Sequence, residues 1–136
     1  HQPPLGLFRG FALIRSGENK DSLDMKHNGV VPVVDLARLY ALMGGLEAVN
    51  TRARLVAARE AGLVSSDGGR DLIDAYDMIA ETRLRHQADR IRRGLRPDNF
   101  LPPATLSELE RNHLRNAFTV VKTMQSAVAQ GRHSVM

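Results

Sequence analysis

The sequence predicts a mainly α-helical fold, an antiparallel four-helix bundle with a short N-terminal β-hairpin. Apolar residues recur at helical spacing through most of the 136 residues, and Gly, Pro and Ser divide this pattern into four segments. Helices joined by short connections pack most simply as antiparallel neighbours. We therefore expect one domain, with a linker and hairpin over residues 1–31 packed on a helical bundle over residues 32–136.

Strand-like patterning occurs near the N-terminus. Residues 7–14 are short and apolar, and the segment RSGENKD that follows is typical of a turn. Residues 22–26 then alternate, with Leu23 and Met25 on one side of the chain. The two segments predict a β-hairpin, followed by a turn at residues 27–29.

The first helix is predicted to begin at Pro32, because a proline in a first turn costs no hydrogen bond. Apolar residues follow at helical spacing as far as the Gly-Gly pair at 44–45. The second helix is predicted at about 46–61, where Gly62 ends the pattern.

The third and longest helix is predicted from the Ser-Ser-Asp boundary at 65–67 to about Arg93. Aspartates occupy its first half and six arginines lie between residues 83 and 96, a polarity that suits the helix macrodipole. Its expected core-facing row consists of Ile73, Tyr76, Ala80, Leu84, Ala88 and Ile91.

The last helix is predicted to begin after Thr105 or Ser107, because each is followed three residues later by a glutamate in capping-box spacing. It is expected to end at about Gln130. His113 lies on its predicted inner stripe, so we expect a hydrogen-bonded histidine in the core.

Composition limits the classes of function. The chain has no cysteine, which excludes disulfides and thiolate metal sites and suits the cytoplasm. No apolar run approaches the roughly 20 residues that span a bilayer, and no signal-peptide pattern is present, so we expect no membrane partner.

The net charge of +4 is compatible with anionic partners and is also an ordinary solubility charge. The Pro-rich start, without Met, suggests a fragment of a longer chain.

Polar residues beside the apolar stripes are the candidate functional groups. One row of the third helix begins with Leu72 and Ile79 and continues as Arg83, His86 and Gln87. A row that changes in this way either caps the end of the bundle or lines a polar pocket.

Two further polar pairs lie one turn apart, Asp35 with Arg38 and Asn50 with Arg54. One interpretation is a set of interhelical ion pairs and hydrogen bonds that fix the register of the helices. The other is a cleft in which several cations hold an anionic ligand and neighbouring polar groups supply directional bonds. That cleft would use Lys26, Arg38, Arg54 and Arg83 as cations and Asn50, Thr51 and Gln87 as polar groups.

Catalytic and cofactor motifs are absent from the sequence. Nucleotidyl transfer of the two-metal kind needs a Gly-Ser turn and a D-x-D carboxylate pair for Mg²⁺, and no aspartates here have that spacing. The histidines are scattered, and no phosphate-binding P-loop occurs. Aromatic residues that could stack on bases are few, so no specific nucleic-acid partner is expected. We expect no metal and no cofactor in this domain.

The motifs LD-x-K, V-D-x-x-R-x-Y-A-L, N-T-x-x-R-L and RL-x-HQ follow one another along the chain. This order resembles the C-terminal substrate-binding helical domain of predicted nucleotidyltransferases in bacterial signal-transduction proteins, which also carry cyclic-nucleotide-binding and CBS domains. The resemblance covers nearly the whole chain. It implies substrate-binding roles for the residues that match its motifs: Lys26, Asp35, Arg38, Asn50, Thr51, Arg54, Arg83, His86 and Gln87.

The resemblance implies a domain that positions the acceptor or the nucleotide for a catalytic domain of the same polypeptide. The acceptor would be a small molecule, such as a phosphorylated metabolite, or a protein. Mg²⁺ is expected only in the catalytic domain. No activity is expected of this domain alone. The alternative is a regulatory or protein-interaction module, including a homodimer, that binds no ligand. Exposed Phe8 and Phe11 would favour the module, and a polar cleft near Arg83 would favour ligand positioning.

Overall fold

A computed structural model of the chain describes residues 9–131 and is mainly helical. Its helices are α1 (Val31–Gly44), α2 (Thr51–Glu60), α3 (Ser66–Arg92) and α4 (Glu108–Ala129). A π-helical turn (Lys26–Val30) precedes α1, and a 3₁₀ turn (Pro103–Thr105) precedes α4. Two short strands, β1 (Leu23–Asp24) and β2 (Phe100–Leu101), complete the described elements.

Three of the four helices begin close to where the sequence predicts. Pro32 lies in the first turn of α1, which ends where Gly45 adopts a left-handed φ of 61°. The Ser65 side chain accepts a hydrogen bond from the Gly68 amide at the start of α3. Ser107 and Glu110 form a complete capping box at the start of α4.

The predicted start of α2 is wrong by one turn or more. Residues 46–49 are not helical, and α2 begins at Thr51 because Asn50 is its N-cap. The Asn50 side chain accepts from the Ala53 amide at 2.8 Å, while its own backbone is extended. Val49, expected within the helix, is 81% exposed.

The N-terminal hairpin forms only in part. Strand β1 takes a partner far along the chain, since Leu23 pairs with Leu101 and Asp24 with Phe100 in antiparallel register. The predicted pairing with residues 7–14 is reduced to a single bridge, Leu13 to Leu23, and to hydrogen bonds around Ile14. Residues 7 and 8 of that segment lie outside the described residues. The predicted turn at 27–29 lies within the π-helical turn.

Helix α3 runs antiparallel to both α2 and α4. Near the start of α2, Arg52 contacts Asp77 of α3, and near its end Arg59 bonds Ser66. Arg85 of α3 contacts Glu110 in the first turn of α4. Helix α1 packs mainly on α2, and the π-helical turn before it packs on α3. These contacts do not confirm a regular four-helix bundle.

The predicted core-facing row of α3 is wrong in its second half. Leu84 and Ile91 are each 60% exposed, and the buried residues lie one row away, from Leu72 to Thr82. Helix α2 has only ten residues and its start lies at the level of Asp77, so no helix of the described part of the chain covers this side of α3 beyond that point. On α4, His113 is exposed and is therefore not a core histidine.

The core is continuous from β1 to α4. It is formed by buried aliphatic residues of every helix together with Leu23, Met25 and Leu101 of the sheet region. Gly29 lies so close to α3 that an added Cβ would meet the Ile79 side chain at 3.1 Å. Within residues 9–131 no helix is both long enough and apolar enough to cross a membrane.

We expect Ser107→Ala to destabilise the protein by about 1 kcal/mol, because the start of α4 loses its cap. Thermal unfolding followed by circular dichroism should show a drop of about 4 °C. Hydrogen bonds from Ser107 lower the pKa of Glu110. The stability that the ionised Glu110 contributes through these bonds is therefore present above the ordinary pKa of a glutamate and is lost as the pH falls through the lowered pKa. The exposed Ser126→Ala, later in α4, is the control; an equal effect of the two would contradict the role of the cap.

Tyr40→Phe should leave stability unchanged or raise it by up to about 1 kcal/mol. Tyr40 is fully buried, burial raises its pKa to about 12, and its hydroxyl has no hydrogen-bond partner among the described residues. Removing that hydroxyl removes a desolvated polar atom. Urea unfolding measures the effect, with the half-buried Tyr76→Phe as comparison. A clear loss of stability in Tyr40→Phe alone would be inconsistent with an unsatisfied hydroxyl.

Candidate ligand-binding site

The RL-x-HQ motif of α3 binds the loop that leads into β2. The Arg83 Nε donates to Asn99 Oδ1 at 2.6 Å, and the Gln87 Nε2 donates to the same oxygen at 3.2 Å. The His86 Nε2 lies 2.7 Å from Asp98 Oδ1. One helical face thus fixes two consecutive loop residues, because Arg83, His86 and Gln87 lie one turn apart or less.

Asp98 connects this loop to a larger network. Its Oδ1 also accepts from the Phe100 amide at 3.0 Å, which shapes the entry into β2. Its Oδ2 forms an ion pair with the Arg90 Nε at 3.1 Å, and Arg90 also donates to the Arg96 carbonyl. The His86 side chain is only 10% exposed, so its contact with the carboxylate is shielded from solvent.

The LD-x-K motif meets the same loop from the other side. The Asn99 carbonyl accepts from the Met25 amide at 2.8 Å, next to the β1–β2 pairing. The Asp24 carboxylate accepts from the Lys26 and His27 amides and contacts the His27 Nδ1 at 2.9 Å. Burial acts to raise the pKa of Asp24, but the hydrogen bonds and charge of His27 outweigh it, so that this pKa is lowered. Asp24 therefore fixes the backbone from which Lys26 projects.

Two cations at this junction keep free donors. The terminal guanidinium nitrogens of Arg83 and the ammonium of Lys26 have no hydrogen-bond or ion-pair partner within residues 9–131. Lys26 is exposed and Arg83 is half-buried. Asn99 holds the Arg83 side chain directly, and the Asn99 carbonyl holds the backbone beside Lys26 through the Met25 amide. Such an arrangement can bind an anion through charge-assisted hydrogen bonds.

The other predicted site residues form a separate group on α1 and α2. Asn50 is the cap of α2, and Arg54 donates through Nε to the Ala48 carbonyl at 2.9 Å, which orders the connection before α2. Thr51 is half-buried. Asp35 and Arg38 are exposed on α1, and neither forms an ion pair among the described residues, so they do not supply the interhelical ion pairs of the first interpretation.

The structure thus joins four of the nine predicted residues through one loop. Lys26, Arg83, His86 and Gln87 lie around Asp98 and Asn99, whereas no hydrogen bond in the described region links them to the group on α1 and α2. The sequence reading missed Asp98 and Asn99. An Asp-Asn pair directly after Pro97 was the available signal, since both residue types often organise loops.

A polar groove adjoins the junction on the α4 side. Its cavity measures about 290 Å³ and lies between α3, β2 and the start of α4. It is lined by Thr82, Arg85, His86, Asp89, Leu101, Thr105, Leu106 and Glu110. The groove carries charges of both signs, because Arg85 lies 3.7 Å from Glu110. Within residues 9–131, no group of three or more acidic or histidine side chains is placed to hold a metal ion.

Asn99→Ala should destabilise the protein by about 1 to 3 kcal/mol, because it leaves donors of Arg83 and Gln87 without their acceptor in a half-buried position. Urea unfolding measures this loss. Asn116→Ala on the exposed surface of α4 is the matched control. Equal stability of the two variants would show that the junction contributes nothing to the fold.

Comparison with known proteins gives one match. A family model described as "Putative nucleotidyltransferase substrate binding domain" matches residues 1–131, almost the whole chain. No curated protein and no solved structure matches the chain. The match agrees with the order of the LD-x-K and RL-x-HQ motifs, whose residues meet at Asp98 and Asn99. The chain belongs to the family of nucleotidyltransferase substrate-binding domains.

Proposed function

We propose that this domain holds an anionic substrate, the nucleotide or a phosphorylated acceptor, in position for a nucleotidyltransferase catalytic domain of the same polypeptide. The observation that carries the proposal is the junction at Asn99, where Arg83 and Lys26 keep donors without partners in the described part of the chain. The chain's own contribution is binding and orientation, and bond-making with its Mg²⁺ belongs to the catalytic domain.

Preorganisation supports this role for the junction. Arg83 is half-buried and its Nε is fixed by Asn99, while Lys26 projects from a backbone fixed by Asp24. Side chains that are already ordered lose less conformational entropy when a ligand binds. His86 and Gln87 then act as positioning residues, because they hold the loop that holds Arg83.

The surroundings of the junction also favour ligand positioning. A polar groove lies beside His86, as a substrate-binding domain requires. Phe11 offers no exposed aromatic ring for docking, since it is half-buried, packs edge-on against Phe118 at 6.1 Å and lies 4.9 Å from the Arg115 guanidinium. Phe8 lies outside the described residues.

The second candidate function is a regulatory or protein-interaction module without a ligand. It is favoured by the fact that Arg83, His86 and Gln87 already have partners in the loop at Asp98 and Asn99. In that case the motif residues serve only to fix the β1–β2 pairing onto α3. Association with cyclic-nucleotide-binding and CBS domains in a cytoplasmic signalling protein is compatible with either function.

Isothermal titration of the chain with ATP, UTP and pyrophosphate tests the proposal. We expect measurable binding of at least one of these anions, and a loss of about tenfold in affinity, or about 1.4 kcal/mol, in Arg83→Gln. Lys26→Ala is the second variant. Its side chain has no partner within residues 9–131, so the change should weaken binding without disturbing the fold.

Arg70→Gln is the matched control, because Arg70 is exposed on the same helix and its ion pair within residues 9–131 is with Asp67, at 3.7 Å. Its affinity should equal that of the wild type. If none of the anions binds, or if all three variants bind equally well, the ligand-positioning role is wrong and the interaction module is favoured.

A further inference from the structure

The outer side of α3 is bare, in the sense that no element of residues 9–131 packs on it. Helix α2 packs on one flank of α3, α4 packs on the other, and the π-helical turn packs behind it. The remaining side carries exposed residues from Asp67 to Arg92. At about 1.5 Å per residue, this helix is about 40 Å long, enough for an extended helix–helix contact.

Charge is distributed unevenly along that bare side. Asp74 and Glu81 in the first part are exposed and form no ion pair within the described chain, although the charge of Asp74 acts on Arg52 of α2 from a longer distance. Arg85 and Arg92 follow in the second part. The macrodipole favours acidic residues only within the first turn, so it does not account for Asp74 or Glu81.

The two acidic residues and the two basic residues have the same spacing. Asp74 and Glu81 are seven residues apart, as are Arg85 and Arg92, so the members of each pair lie two turns apart on one side of the helix. If α3 is laid antiparallel on a copy of itself, with residue 83 at the centre, Asp74 faces Arg92 and Glu81 faces Arg85. Two-fold symmetry repeats each pair, which gives four ion pairs of opposite sign.

An apolar residue lies beside the midpoint of this arrangement. Leu84 is 60% exposed and lies on one flank of the line of charged residues, so the two copies of Leu84 would lie next to each other beside the symmetry axis. The small exposed residue Ala88 lies one turn further and allows close approach. A self-complementary surface therefore combines a line of opposite charges with an apolar contact on one flank.

We infer that the bare side of α3 pairs antiparallel with α3 of a second copy of this chain. The ion pairs that Arg85 and Arg92 form within one chain do not oppose this pairing. Arg85 lies 3.7 Å from Glu110 and Arg92 lies 3.6 Å from Asp89, and all four side chains are substantially exposed. Surface pairs of this kind contribute little, so either arginine can change partner. Lys26 and Arg83, the proposed anion-binding cations, are not part of this surface.

Analytical ultracentrifugation of the chain at low ionic strength tests the inference. We expect a monomer–dimer equilibrium that weakens as salt is added. Asp74→Arg and Arg92→Asp should each raise the dimer dissociation constant by on the order of tenfold, because each change places like charges together twice. The double variant restores opposite charges and should return to within about threefold of the wild type.

Leu84→Asp tests the apolar contact beside the axis and should weaken the dimer. Leu42→Asp is its control, since Leu42 is 81% exposed on α1 and lies outside the surface. Circular dichroism establishes that every variant is folded. A chain that stays monomeric at all concentrations would overturn the inference, and so would a double variant no tighter than the single variants. Arg85 also lines the polar groove beside His86, so the variants are placed at Asp74, Leu84 and Arg92, which do not line it. Their outcomes are therefore distinguishable from anion binding at Arg83 and Lys26.

Discussion

The loop at Asp98 and Asn99 is the interaction on which the arrangement of this domain depends. It returns the chain from the end of α3 to β1, so that residues more than seventy positions apart in sequence pair as strands. Its two side chains accept hydrogen bonds from three residues of α3, and the Asn99 carbonyl accepts from Met25. Because these acceptors are half-buried, losing one leaves a donor unpaired where water cannot fully replace it.

The two sequence motifs have a common structural role, because both make hydrogen bonds to this loop. LD-x-K and RL-x-HQ are far apart in the chain, yet both contact this loop. RL-x-HQ binds Asp98 and Asn99 through its side chains, and LD-x-K binds the Asn99 carbonyl through the Met25 amide. A structural role and a ligand-binding role are compatible there, because Arg83 uses Nε for the loop and retains its terminal nitrogens. The contact between Arg83 and Asn99 then both fixes the loop and orients the Arg83 cation. His86 and Gln87 accompany Arg83 because they bind the same loop.

The short length of α2 is the second constraint. Its cap at Asn50 sets the start of the helix, and Arg52 places that start beside Asp77. Helix α3 extends well beyond this point, so its second half carries Leu84 and Ile91 at the surface. The exposed Leu84 is also the apolar contact of the inferred self-association.

Interactions between residues close together in the sequence determined the helical class, the caps at Ser65 and Ser107, and the end of α1 at its Gly-Gly pair. These features depend on a few neighbouring residues, so a pattern of residue types is sufficient to predict them. Three of the predicted site residues, Arg83, His86 and Gln87, lie together because they share one helical face, and Lys26 follows Met25, which bonds the same loop.

Only the tertiary structure decided which row of α3 is buried and where β1 finds its partner. Both depend on contacts between segments distant in sequence: the level at which α2 begins, and the return of the chain to Phe100 and Leu101. The apolar periodicity of α3 fits two adjacent rows about equally well, and the row that meets other helices is set by their lengths and positions. Asp98 and Asn99 were missed for the same reason, because a loop residue acquires its partners only when the chain has folded.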